Sequence, residues 1–130
     1  MSDTGEIPLD LRYSKEHEWA RTIGEEVEVG ITAFAANALG DVVFVELPKV
    51  GATLLAGNPF GVVESVKSVS DLFAPVTGRV TAINGALEGS PELVNAAPYG
   101  EGWMIRVKPN NSDATGMLLT AEEYRSLLEG

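Results

Sequence analysis

Short runs rich in valine and isoleucine, each closed by glycine, proline or another turn residue, recur along this chain at nearly regular spacing. They cover residues 27–31, 42–47, 60–66, 72–73, 79–83 and 103–107. Side chains branched at Cβ are stiff and pack well on a pleated surface, so such runs read as strands. They are too closely spaced to alternate with long helices, which argues against a parallel α/β sheet. The pattern implies a mainly β sandwich or barrel of antiparallel strands.

Three helical pieces interrupt the strands. Residues 32–40 begin with threonine, continue through alanines and end on glycine, which supplies a cap, high propensity and a stop. Residues 90–94 start with Ser90 and Pro91, a cap followed by proline at the first helical position. From Thr120 a final helix is expected, with Glu123 at capping-box spacing and Tyr124, Leu127 and Leu128 on one face. That face should pack on the sheet and close the fold. Residues 109–113 read as a turn before it. The polar residues 1–10 read as a loose segment, leaving 11–130 as a single domain.

A chain of 130 residues suits one domain, and at that size roughly two thirds of the unfolded surface can be buried without staples. There is no cysteine, so a disulfide framework or a zinc site of cysteine type is excluded. Nine basic residues against 19 acidic ones leave a net charge of −10. Such a chain is a poor ligand for nucleic acid or an anionic membrane. Either partners with basic docking patches are favoured or the acidity serves only to keep a small protein soluble. No apolar run is long enough to span a bilayer. The opening residues Met1-Ser-Asp-Thr-Gly-Glu-Ile-Pro carry acids and no arginine, unlike a secretory signal or transit peptide, so the expectation is a cytoplasmic protein.

The informative stretch is Gly61-Val-Val-Glu-Ser-Val-Lys67-Ser-Val-Ser-Asp-Leu-Phe-Ala-Pro75-Val-Thr-Gly78. It has β character on both sides of Lys67, with small serines close by. A hairpin here would push Lys67 into solvent at its tip, where a modifying enzyme can reach a single ε-amine. Spacing alone leaves open a plain exposed lysine at a turn.

The run Glu64-Ser65-Val66-Lys67-Ser68, followed by Asp71 and Pro75-x-x-Gly78, resembles the lipoyl-attachment hairpin of glycine cleavage H proteins. His17-Glu18-Trp19 is similar to that family's opening strand. Gly30-Ile31-Thr32, Leu39-Gly-Asp-Val-Val-Phe-Val-Glu-Leu-Pro48, Leu93-Val-Asn95 and Pro98-Tyr-Gly-Glu-Gly-Trp-Met104 resemble its later motifs. The resemblance runs from about residue 11 to 129, in order and at compatible spacing. It implies a flattened β-sandwich, a barrel-sandwich hybrid of the lipoyl/biotinyl-carrier type, with short helices and a C-terminal helix.

It also implies a non-catalytic carrier with lipoic acid joined covalently to Lys67. In that family a glycine decarboxylase loads an aminomethyl group on the arm. An aminomethyltransferase removes the one-carbon unit, and dihydrolipoyl dehydrogenase reoxidises the dithiol. A lipoate ligase or lipoyltransferase attaches the arm. By the family motif, Glu64 helps that enzyme recognise the turn, while Glu18 and Asp71 sit in a cleft that shelters the loaded arm. Their alternative is that of ordinary surface acids. Attachment removes one positive charge, taking the net charge from −10 to −11.

Other readings of the same residues remain open. A relay protein passing lipoyl groups to other acceptors would use the same hairpin. Biotin carriers place methionines beside the lysine, whereas Lys67 has Val66 and Ser68. Lipoyl domains of 2-oxoacid dehydrogenase complexes are shorter and sit on flexible linkers. A small hydrolase built on His17 with Glu18 or Asp71 lacks a recognisable nucleophile set, and His17, the only histidine, reads as a packing or hydrogen-bonding group. No metal-ligand motif is present. Trp19 and Trp103 read as core or cleft-wall residues. The loop 98–102 lacks the lysine and the strand–loop–helix context of a phosphate cradle. An unmodified β-sandwich used only for binding would keep Lys67 as a free amine.

Overall fold

The β-branched runs pair as antiparallel strands in the computed structural model, which describes residues 7–111 and 114–129. The strands are β1 Arg12–Tyr13, β2 Glu18–Ile23, β3 Glu26–Ile31, β4 Val42–Glu46, β5 Thr53–Leu54, β6 Pro59–Ser65, β7 Val69–Phe73, β8 Gly78–Ile83 and β9 Ile105–Pro109. Four α-helices punctuate them: α1 Ala33–Leu39, α2 Ala86–Gly89, α3 Leu93–Ala96 and α4 Ala121–Glu129. Among the described residues there are two sheets. One runs β1-β2-β3-β9-β8-β5 and the other β4-β6-β7. The sandwich expected from the spacing is therefore present.

Between the sheets lies the main core, with Val29, Val63, Val80, Met104, Ile105 and Val107 among its buried members. Alternation explains most of it: Val27, Val29 and Ile31 of β3 all turn inward. Glu28, between them, is buried as well. Its carboxylate is covered on the other face by Arg21 at 2.7 Å and Arg106 at 3.0 Å, which stand opposite it on β2 and β9. Those guanidinium groups in turn lie over the Trp19 and Trp103 rings. Both tryptophans are thus wall and core, Trp19 being fully buried. Where β6 passes β4, a Cβ on Gly61 would come within 2.3 Å of the Glu46 carbonyl oxygen, so only glycine permits that approach.

A second cluster joins Ile7, Leu11, Tyr13 and Trp19 to Ala121 and Tyr124 of α4. Tyr13 and Tyr124 stack with centroids 4.7 Å apart. The capping box is formed: Glu123 N–H donates to Thr120 Oγ1, and Thr120 N–H to Glu123 Oε1. Leu127, however, does not share the inner face. It is 44% exposed, while Ala121, Tyr124 and the partly buried Leu128 take the inward positions. The structure also differs from the sequence reading around residues 86–97. The helix placed at 90–94 begins later, as α3, without a side-chain cap, and Ser90 instead ends the unanticipated α2 by donating its N–H to Ala86 O. Of the segment read as loose, residues 1–6 lie outside the described residues. Ile7 is buried, and Pro8 accepts a hydrogen bond from the Tyr13 hydroxyl, because the apolar Ile7 finds room beneath α4.

Candidate functional site

Lys67 stands at the tip of the β6–β7 hairpin, exposed to solvent. The loop is only Val66-Lys67-Ser68, and one buried side chain organises it. Ser65 Oγ accepts from the N–H groups of Lys67 at 3.3 Å and Ser68 at 3.1 Å, while Ser65 N–H donates to Ser68 O at 2.8 Å. From behind, Val66 N–H donates to Asp41 O at 3.0 Å, which ties the tip to the start of β4. Asn95 holds that neighbouring segment: its Nδ2 donates to Gly40 O at 2.8 Å, and its Oδ1 accepts from Val42 N–H at 2.9 Å. Gly40 ends α1 at φ 82°, a left-handed conformation that favours glycine. A Cβ there would sit 3.3 Å from Lys67 Cε, so the missing side chain also leaves space for the lysine stem.

From Ser68 onward the hairpin forms one wall of a groove of about 380 Å³. Helix α1 supplies the apolar opposite side through Phe34, Ala38 and Leu39, and Val63 and Leu72 contribute from the second sheet. Its polar members include His17, Glu18, Ser70 and Asp71. A concave, mostly apolar site with a few polar groups suits a slender organic ligand.

The three acids singled out in the sequence differ sharply. Asp71 is exposed on the groove rim. Glu64 is half-buried on β6, between Phe44 of β4 and Val69 of β7 in register. Glu18 is only 2% exposed. Its Oε1 accepts from Ser14 Oγ at 2.5 Å and its Oε2 from Phe73 N–H at 3.1 Å. Burial pushes its pKa up to about 7, against the opposing pull of those two hydrogen bonds. Glu18 is thus neither a surface acid nor an idle charge. It couples β2 to the base of the Lys67 hairpin.

His17 adopts φ 75°, uncommon for a residue with a side chain. Its Nδ1 lies 2.8 Å from the Tyr124 hydroxyl, which is also 2.8 Å from Thr32 Oγ1, the α1 cap. The ring packs on Phe34 at 4.9 Å. Burial lowers the His17 pKa, partly offset by Glu16, and raises that of Tyr124 to about 12. The hydrogen-bonding role read for His17 is what the geometry displays: it joins the opening strand, α1 and α4 behind the groove.

A sequence model described as Glycine cleavage H-protein matches residues 11–130. The chain belongs to this family. A glycine cleavage system H protein of Mycolicibacterium smegmatis is 60% identical over 127 residues, covering 95% of this chain and 97% of the relative. One from Bacillus cereus is 57% identical over 121 residues, covering 93% and 95%. Among solved structures, a glycine cleavage system H protein from Mycobacterium marinum superposes with a TM-score of 0.87 at 45% identity, covering 95% of this chain and all of that one. As a glycine cleavage H protein, the chain is a component of the glycine cleavage system, on the β-sandwich fold of lipoyl carriers. Among the described residues no group of three His, Asp or Glu is placed to hold a metal ion, and no helix is long and apolar enough to cross a membrane.

Ser65, Gly40 and Asn95 were not identified as site residues from the sequence. All three lie within motifs that resemble the family's, but nothing local to Gly40 or Asn95 shows that they meet beside Lys67.

Proposed function

We propose that this H protein is a non-catalytic shuttle carrying lipoic acid as an amide on Lys67. It takes the aminomethyl unit of glycine from the decarboxylase to the aminomethyltransferase, then presents the reduced arm to dihydrolipoyl dehydrogenase. A lipoate ligase or lipoyltransferase makes the attachment, with Glu64 assisting recognition of the turn. The observation that carries this reading is one solvent-exposed lysine on a hairpin pinned from behind, next to a groove of ligand size.

The residues present fit the group. Space over Gly40 accommodates the stem, and the groove wall starts at the residue after the lysine. When bound, lipoate supplies the redox-active disulfide and reach; the protein supplies position and recognition. Lys67 tethers, so that encounters with a docked active site become local and the effective concentration rises. Phe34, Ala38 and Leu39 exclude water from the groove. Asp71 offers an exposed carboxylate to an ammonium group on the cargo. Glu18, largely neutral at its elevated pKa when the pH is below about 7, holds the hairpin base and contributes less as a charge partner. The acidic surface, net −10, steers basic docking faces toward the carrier.

Incubation with lipoate, ATP and a lipoate–protein ligase, read by intact mass and peptide mapping, tests this. One lipoyl group on Lys67 is expected, and none on Lys67→Arg, which also fails to support glycine cleavage while keeping its fold. A ligase that modifies a control acceptor but leaves Lys67 bare sinks the proposal.

A further inference from the structure

An apolar rim surrounds the Lys67 tip, and its cause is a defect in strand pairing. Between Val42 and Phe44 the register of β4 against β6 shifts: Val42 faces Ser65, yet Phe44 faces Glu64, the next residue along. One extra residue, Val43, is inserted on β4, which makes a β-bulge. In a regular strand Val43 and Phe44 would point to opposite faces. Here both are open to solvent, at 51% and 49%. The bond from Val66 N–H to Asp41 O brings the hairpin tip against this segment. Val66 is 71% exposed, and Val69, in the same cross-strand row as Phe44 and Glu64, is 67% exposed. Exposed apolar side chains gathered at one place mark interaction surfaces. Carboxylates border them, Glu64 within the row and Asp41 and Glu46 beside it.

We propose that Val43, Phe44 and Val66, with Val69, form the docking surface for the enzyme that acylates Lys67. Its complementary face is an apolar pocket edged by arginine or lysine side chains. The inference rests on Lys67 being the attachment lysine. The bare amine extends only four methylenes from the backbone, so an enzyme acting on it must bring its own surface against the residues flanking the tip. Enzymes that act later meet the end of a much longer arm and need no such approach. The charge pattern selects a basic rim on the partner, in keeping with the net −10 of the chain. In the reaction, the lipoate carboxylate attacks the α-phosphorus of ATP, giving a lipoyl–AMP mixed anhydride and releasing pyrophosphate. The neutral Lys67 amine then attacks the acyl carbon: the amide C–N bond forms as the acyl–O bond to AMP breaks, AMP leaves, and the amine proton goes to solvent.

The test measures lipoylation kinetics on the full chain by intact mass, with lipoate–protein ligase, lipoate and ATP. The double variant Val43→Ser/Phe44→Ser should raise KM for the carrier roughly tenfold with kcat little changed, the loss produced by truncating an interface anchor. Raising salt should weaken wild-type recognition. Val66→Ser, which disturbs no packing, gives a second measurement if the double variant folds poorly. Once loaded with lipoate by prolonged incubation, each variant should support glycine cleavage at the wild-type rate. Unchanged KM in both variants, with wild type still modified on Lys67, overturns the docking surface while leaving the carrier intact. So does normal lipoylation with impaired glycine cleavage, which would give the rim to a later partner. A wild-type dimer at the assay concentration that the double variant abolishes would assign the rim to a second copy of the chain instead. If wild type itself is not modified, it is the carrier reading that fails.

Discussion

Replacing Glu18 by glutamine should make the protein more stable as pH rises, relative to wild type. In the fold the carboxyl has a pKa of about 7 against a reference of 4.5, because burial disfavours its charge. The sign follows from proton uptake. The folded state binds the proton more tightly than the unfolded chain, so stability is fully present below 4.5 and is lost as pH climbs through 7. The whole span corresponds to about 3 kcal/mol at ~1.4 kcal/mol per pKa unit. The isoelectric point near 4.4 makes the acid end impractical. Between pH ~5.5 and ~8.5 about 2 kcal/mol of the effect remains. Glutamine can keep the same partners: its carbonyl oxygen accepts from Phe73 N–H and its amide donates to Ser14 Oγ, now without a titrating group. Urea unfolding of both proteins across this range, followed by tryptophan fluorescence, gives the difference curve. Glutamine should gain on wild type by about 2 kcal/mol from the acid end to the alkaline end, or several degrees in Tm. Curves parallel within ~0.5 kcal/mol would refute the argument that a buried, ionising Glu18 strains the native state above neutrality.

Tyr124→Phe removes the hydroxyl shared by His17 Nδ1 and Thr32 Oγ1, and should cost about 1–3 kcal/mol in chemical denaturation, because His17 Nδ1 loses this partner and Thr32 Oγ1 keeps only the Ala35 N–H. An unchanged midpoint would mean water replaces the hydroxyl without loss. Asp71→Asn, which removes the exposed rim charge, should hasten decay of the glycine-loaded protein by up to about fivefold, the scale of an exposed ion pair. A decay rate equal to wild type would remove Asp71 from the groove's role.

What the sequence revealed of the fold follows from which interactions are local. Valines at period two in residues 27–31 report β3 because neighbouring side chains point to opposite faces of a strand. Thr120 and Glu123 report the start of α4 because a capping box is closed within one turn. The two-residue strands β1 and β5 were missed: each holds its place through distant partners, β1 through Ala20 and Trp19 of β2 and β5 through Arg79 and Gly78 of β8. Of the pair Leu127 and Leu128, both expected on the inner face of α4, only Leu128 belongs there. Helical spacing admits both 127 and 128 as neighbours of Tyr124, and only the second cluster decides that Leu128 turns inward.

The same division runs through the candidate site. Lys67 at a turn was legible, since strand-forming residues flank it on both sides. The state of Glu18 was not, because its burial depends on Ser14, Phe73 and the hairpin laid across it, elements brought together only by the folded chain. Nor was the support behind the lysine: Asn95 lies 28 positions along the chain from Lys67, yet fixes the segment on which the lysine stem rests. This arrangement has a mechanical consequence. The turn is bonded internally through Ser65, against β4 through Asp41, and at its base through Glu18. Motion of a group attached to Lys67 therefore starts at the side chain rather than at the backbone. The carrier role proposed above would gain from that division, because the tip can dock as a rigid shape while the lysine stem retains its rotamers.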